Sequence, residues 1–138
     1  MNNRQEINAR VIKAAEHALA RKGFVSTIDI LLGLDFISQT GLHEWKIGKF
    51  AFFESLISGN PRRIEYALEC FQRWITHKNL ATSMSVYRSV GTANKKELRF
   101  SKTGNPKTEE AYKTHYVSPE LNDQKKEKRV KDKLNQSE

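Results

Sequence analysis

Arg99-Phe-Ser-Lys-Thr-Gly-Asn-Pro-Lys-Thr-Glu-Glu-Ala-Tyr-Lys-Thr-His-Tyr116 reads as a strand that runs into a glycine turn and then into a helix opened by Asn105 and Pro106. A strand delivered onto a helix start makes this an α+β chain. Asn at the cap and Pro at the first helical position are the preferred opening chemistry, and Gly104 suits the turn. The expected helix runs to His115 or Tyr116, with Ala111 and Tyr112 turned inward and Glu109 and Glu110 at its positive end. Cations and hydroxyls crowd the joint: Arg99, Ser101, Lys102, Thr103, Lys107 and Thr108. A helix N-terminus exposes unpaired backbone N–H groups and the positive end of the dipole, so the stretch is a candidate anion pocket.

Upstream of it, residues 85–90 and 96–101 alternate around a turn at Gly91-Thr-Ala-Asn94 and predict a β-hairpin. Val86 and Val90 share one face of the first strand, with Arg88 between them. Leu98 and Phe100 share a face of the second, and Glu97, Arg99 and Ser101 the other. A lone hairpin is marginal in water, so its apolar face has to lie on the helices.

The first 80 residues are helical in pattern. Ile7, Val11, Ala14, Ala15, Ala18 and Leu19 recur at helical spacing over residues 3–22, and Gly23 is a C-terminal stop. Ser26-Thr-Ile-Asp29 fits a capping box ahead of a short apolar helix. Ser38 or Thr40 caps another, with Leu42, Trp45 and Ile47. The pair gives a helix-turn-helix-like outline, which any small helical bundle also contains. Phe50, Phe52, Phe53, Leu56 and Ile57 read as core. Asn60-Pro61 opens the clearest helix, with Ile64, Ala67, Leu68, Phe71 and Ile75 as its stripe. Ala81-Thr-Ser83 reads as a linker or cap.

The expected fold is therefore mostly helical α+β: about five N-terminal helices packed with a β-hairpin and a short C-terminal helix. Residues 1–118 form the expected single compact domain, helical over 1–80 and hairpin plus helix over 81–118. Residues 119–138, almost wholly polar, form an expected flexible charged tail.

The 138 residues carry a formal net charge of +8 and a pI near 9.7, which favours an anionic partner. The excess is local. Residues 81–118 hold 7 basic and 3 acidic side chains, whereas residues 1–80 hold 11 and 8. Cys70, the single cysteine, lies in a helical pattern and reads as a packed small hydrophobe; a reducing compartment suits the chain. Without a signal-peptide core or a stretch of membrane-spanning length, the expectation is a cytoplasmic protein with no membrane partner. The four histidines show no metal-ligand spacing, and neither cofactor nor metal is expected.

Three stretches resemble a family of uncharacterised bacterial proteins: Gly23-Phe-Val-Ser-Thr-Ile-Asp-Ile-Leu-Leu-Gly33, Trp45-Lys-Ile-Gly48, and above all Arg99–Leu121. Its pattern is close to RFSKxGxPxxExAYxTHxVSPEL, and the resemblance covers most of residues 23–121. Some members carry a further cysteine-containing, zinc-ribbon-like segment that this chain does not match. The resemblance implies no activity and no metal ligand. It implies that Arg99, Ser101, Lys102, Gly104, Tyr112, Thr114 and His115 belong together.

The leading functional expectation is non-catalytic binding of nucleic acid, RNA or DNA undecided. Ser101, Lys102, Thr103 and Lys107 would cradle a phosphate with the nearby amides, Arg99 would add a bidentate contact, and Tyr112 and His115 would line the edge or stack on a base. The plain structural alternative is a turn with a capped helix, Tyr112 and His115 being packed. A protein-interaction adaptor is the second functional reading. A phosphodiester-processing enzyme with His115 as general acid or base is the third, and Glu109 and Glu110, adjacent on a helix, do not by themselves supply convergent carboxylates.

Overall fold

The computed structural model describes residues 3–91 and 96–118. The expected turn at 91–94 and the expected tail at 119–138 fall largely or wholly outside the described residues.

Apolar periodicity builds the helical layer. Helix α1 (Asn3–Lys22) buries Ile7, Val11, Ala15 and Ala18 along one stripe and stops at Gly23, whose φ is 80°. Its partner α4 (Pro61–Lys78) starts where expected. Asn60 Oδ1 accepts from the N–H groups of Arg62 at 2.9 Å and Arg63 at 3.4 Å, and Pro61 takes the first helical position. The buried face of α4 is Ala67, Cys70, Phe71 and Trp74, so the stripe is rotated from the expected one, and Ile64, Leu68 and Ile75 are only half-buried. Trp74 is anchored on this rotated face. Its ring stacks near Phe71, and its indole N–H donates to Glu16 of α1 at 3.1 Å.

Between these helices lie α2 (Thr27–Gly33) and α3 (Gln39–Lys46), followed by a short 3-10 turn, Phe53–Leu56. Asp29 caps α2 by accepting from the Ser26 backbone N–H at 2.8 Å, and Ser38 caps α3 by accepting from Gly41 N–H at 2.9 Å. Helix α2 sits so close to α1 that a Cβ on Gly33 would come within 2.5 Å of the Ala14 Cβ. Of the aromatic run, Phe53 is buried, while Phe50 reaches solvent.

Helix α5 (Pro106–Lys113) follows the second Asn-Pro start, with Asn105 Oδ1 accepting from Lys107 N–H at 2.9 Å and Thr108 N–H at 3.3 Å. It ends earlier than the sequence predicts. Thr114 turns to extended backbone, and Thr114–Val117 becomes β3, the middle strand of a three-stranded antiparallel sheet ordered β1-β3-β2. Its neighbours are β1 (Phe24–Val25) and β2 (Ala81–Met84), the segment expected as a linker. The pairing explains the change: Phe24 and Ala81 both register with Val117, and Thr82 and Val25 with Tyr116.

The fold is thus mostly helical α+β, as expected, with its ladder in a different place. Among the described residues, 85–91 and 96–101 keep an antiparallel approach, reduced to one bridge, Arg88 opposite Glu97. It is held by Ser89 N–H on Lys96 O at 2.8 Å and Leu98 N–H on Tyr87 O at 2.6 Å. Leu98 and Phe100 point inward as predicted. Val86 does not: it is 52% exposed, and Tyr87 and Ser89 turn inward instead. The reason is aromatic, since Tyr87 packs against Trp45, Phe100 and His115.

Candidate functional site

The 99–108 turn is wired from the inside. The Glu109 carboxylate accepts from the backbone N–H groups of Phe100 at 2.9 Å and Ser101 at 2.6 Å. Glu54, on the 3-10 turn, accepts from Lys102 N–H at 3.0 Å. Ser101 Oγ takes Gly104 N–H at 3.0 Å, Thr103 Oγ1 takes Asn105 N–H at 3.3 Å, and Asn105 takes the next two helical amides. These amides, which the sequence offers to a bound anion, are satisfied by the protein's own oxygens. Burial tends to raise the Glu109 pKa. The amides of Phe100 and Ser101, the Ser101 hydroxyl and the charge of Lys113 outweigh it and hold the carboxyl below its ordinary range.

The carbonyl side is equally committed. Arg99 O accepts from the Trp45 indole N–H at 3.1 Å and Phe53 N–H at 3.0 Å, and Phe100 O accepts from Glu54 N–H at 2.9 Å. The Arg99 side chain folds back along the turn. Its Nε donates to Ser101 O at 3.1 Å and its Nη2 to Lys102 O at 2.9 Å, with the guanidinium 5.2 Å over the Phe52 ring. Gly104, at φ 71°, makes room: a Cβ there would stand 2.8 Å from Arg99 Nη2.

The seven expected site residues separate accordingly. Arg99, Lys102, Thr103 and Lys107 are exposed around the turn. Ser101 is 2% exposed and His115 6%. Tyr112 is half-buried, stacked on Phe100 with ring centroids 5.1 Å apart, and burial pushes its phenol up to about 12, with Glu54 and Glu109 adding to the shift. His115 lies in β3, stacked on Phe24 at 4.5 Å, and its Nε2 is 2.6 Å from the Tyr87 hydroxyl. Burial, reinforced by the negative charge of Asp29, keeps Tyr87 strongly protonated. The turn therefore gathers Arg99, Lys102, Thr103 and Lys107 on its outer side, and Ser101 and Tyr112 hold it from within, whereas His115 sits in β3 against Phe24 and Tyr87.

Sequence reasoning missed Glu54, Phe52 and Tyr87. No spacing signal links Glu54 to Lys102, 48 positions away. Glu109 was visible as a charge suited to a helix start and as one of two adjacent carboxylates, not as the acceptor of the Phe100 and Ser101 amides.

Lys107 also stands beside a groove of about 350 Å³ between α4 and α5, floored by Leu68, Phe71 and Tyr112. Among the described residues no helix is long and apolar enough to cross a membrane, and no three His, Cys, Asp or Glu side chains gather as a metal ion would require. Comparison of the chain with protein-family models, curated proteins and solved structures finds no match.

Proposed function

We propose that the chain is a non-catalytic nucleic-acid-binding protein that meets phosphates with the outward side chains of the 99–107 turn. One observation carries the reading. The carboxylates that serve this turn, part-buried Glu109 and exposed Glu54, accept from backbone amides, whereas Lys102 and Lys107 are exposed and, among the described residues, have no carboxylate partner. Phosphate contact then comes from flexible ammonium groups on a rigid turn, with the Arg99 fork beside them, rather than from an amide cradle. Point-charge contacts of this kind track the backbone and carry no sequence information.

Fluorescence anisotropy with labelled single-stranded and duplex RNA and DNA tests this. Wild-type affinity should fall steeply with salt. The double variant Lys102→Gln/Lys107→Gln should bind roughly tenfold more weakly and lower the slope of log K against log salt by about two, one counterion per lost contact. Affinity equal to that of an unrelated protein of the same net charge, or a double variant indistinguishable from wild type, refutes the proposal.

A further inference from the structure

The groove beside Lys107 combines an apolar floor with polar walls that have nothing to bond. Leu68, Phe71, Ala111 and Tyr112 give it its apolar surface. Phe71 and Tyr112 are fixed by stacking on Trp74 and Phe100, so the floor is preformed. Thr27, Gln72 and Thr108 complete the lining. The Gln72 carbonyl serves Thr76 and the Thr108 N–H serves Asn105. Among the described residues, however, none of these three side chains makes a hydrogen bond within the protein. An apolar floor with a few convergent polar groups is the usual make-up of a ligand site, and about 350 Å³ lies at the small end of the range.

Charge distinguishes the two ends of the groove. At one end is Lys107, exposed and without a carboxylate partner among the described residues, with Lys102 further back on the turn. At the other, Leu68 and Gln72 are shared with a second depression lined by Glu65, Glu69 and Arg73. Two carboxylates against one guanidinium disfavour phosphate there, so an anionic ligand is held from the Lys107 end.

We propose that the groove takes one base of a single-stranded nucleic acid, with the adjoining phosphates on Lys107 and Lys102. The inference rests on the nucleic-acid reading above and adds to it a contact with the base. A nucleobase has a flat body that covers the apolar floor. Donors and acceptors around its edge match the Gln72 amide and the two threonine hydroxyls, each of which can both donate and accept. An apolar side chain of a peptide would cover the same floor, but it would leave those three groups unpaired and the Lys107 charge unmet. In a duplex the base is stacked and paired and does not enter, so the chain prefers single strands.

Fluorescence anisotropy of the full-length chain tests this with two labelled DNA single strands of equal length and charge, one of mixed sequence and one abasic at every position. The wild type should bind the base-bearing strand at least about tenfold more tightly. Ala111→Trp, at an exposed position of α5, sets an indole in the groove. It should bring the base-bearing strand down to the abasic affinity, leaving the abasic affinity, its salt slope and the circular dichroism spectrum unchanged. Gln72→Ala, also at an exposed position, should reduce the ratio of the two affinities about threefold. Lys102→Gln/Lys107→Gln should weaken both strands and keep their ratio. Equal wild-type affinities that still exceed those of an unrelated protein of the same net charge overturn base capture and leave the phosphate contacts standing. That is the result expected if the groove receives a side chain of a protein partner. A base preference that survives both Ala111→Trp and Gln72→Ala overturns the groove as its site. Binding of both strands no tighter than by the control protein overturns this inference together with the nucleic-acid reading.

Discussion

The helical layer and the 96–118 segment are held by different physics. Helices α1 and α4 meet mainly through a continuous apolar stripe, with one polar point where Glu16 takes the Trp74 indole and Lys78. The 96–118 segment places only Leu98 and Phe100 among the buried apolar side chains, and its shape depends on individual donors and acceptors at Glu54, Glu109, Arg99, Asn105 and the Trp45 indole. Apolar packing tolerates exchange at constant volume, whereas a carboxylate clasp fails when one acceptor is removed. The exposed lysines proposed to meet phosphate sit on the second kind of structure.

Substitutions can break this contrast. The largest expected effect is in the helical layer: Phe71→Ala should cost about 3–5 kcal/mol in urea unfolding, the usual range for a buried aromatic. Glu109→Ala comes next, at about 2–3 kcal/mol, because it strands the amides of Phe100 and Ser101. A cost below about 0.5 kcal/mol would mean that the clasp does not hold the turn, and the contrast would collapse. Trp45→Phe keeps the ring packing and removes the bond to Arg99 O, at about 1 kcal/mol.

Two indoles let pH sharpen the comparison, since Trp45 reports the clasped segment and Trp74 the α1–α4 seam. Glu109 titrates below its ordinary range when folded. Its stabilising contribution is therefore fully present above the unfolded carboxyl pKa and lost as pH falls through the lower folded value. Acid should move Trp45 fluorescence in a Trp74→Phe variant as the Glu109 clasp is lost, while Trp74 in a Trp45→Phe variant reports Glu16, a carboxyl that Lys78 and the Trp74 indole likewise hold low. At the alkaline end Tyr112 is raised to about 12, so its contribution is full below the unfolded value near 10 and disappears as pH climbs through about 12. The smallest effect is at the surface: Lys102→Gln should change stability by less than about 0.5 kcal/mol, which separates its loss of nucleic-acid affinity from any loss of fold.

Legibility in the sequence follows the same division. The boundaries of α1 and the starts of α2, α4 and α5 were readable because periodicity and caps are local. Strand β2 was not, because Ala-Thr-Ser-Met has no alternation and becomes a strand only by opposing residues 114–117. Helix α5 was read too long for the same reason: Thr114 to Val117 continue a plausible helix until Phe24 and Ala81 claim them. At the site, the cations and the cap were visible, but the occupants of the amides were not. Nothing in the spacing of Glu54 distinguishes it from the other surface glutamates, and Ser101, expected on the outer face with Arg99, is drawn inward by the Glu109 and Gly104 bonds.

The middle strand of the sheet is the last of the three to be synthesised. Until residues 114–117 leave the ribosome, Phe24–Val25 and Ala81–Met84 have no strand between them and cannot pair. The α1–α4 seam, complete by residue 78, is available much earlier. Synthesis from the N-terminus therefore makes the α1–α4 seam available for packing before β3 can join β1 to β2.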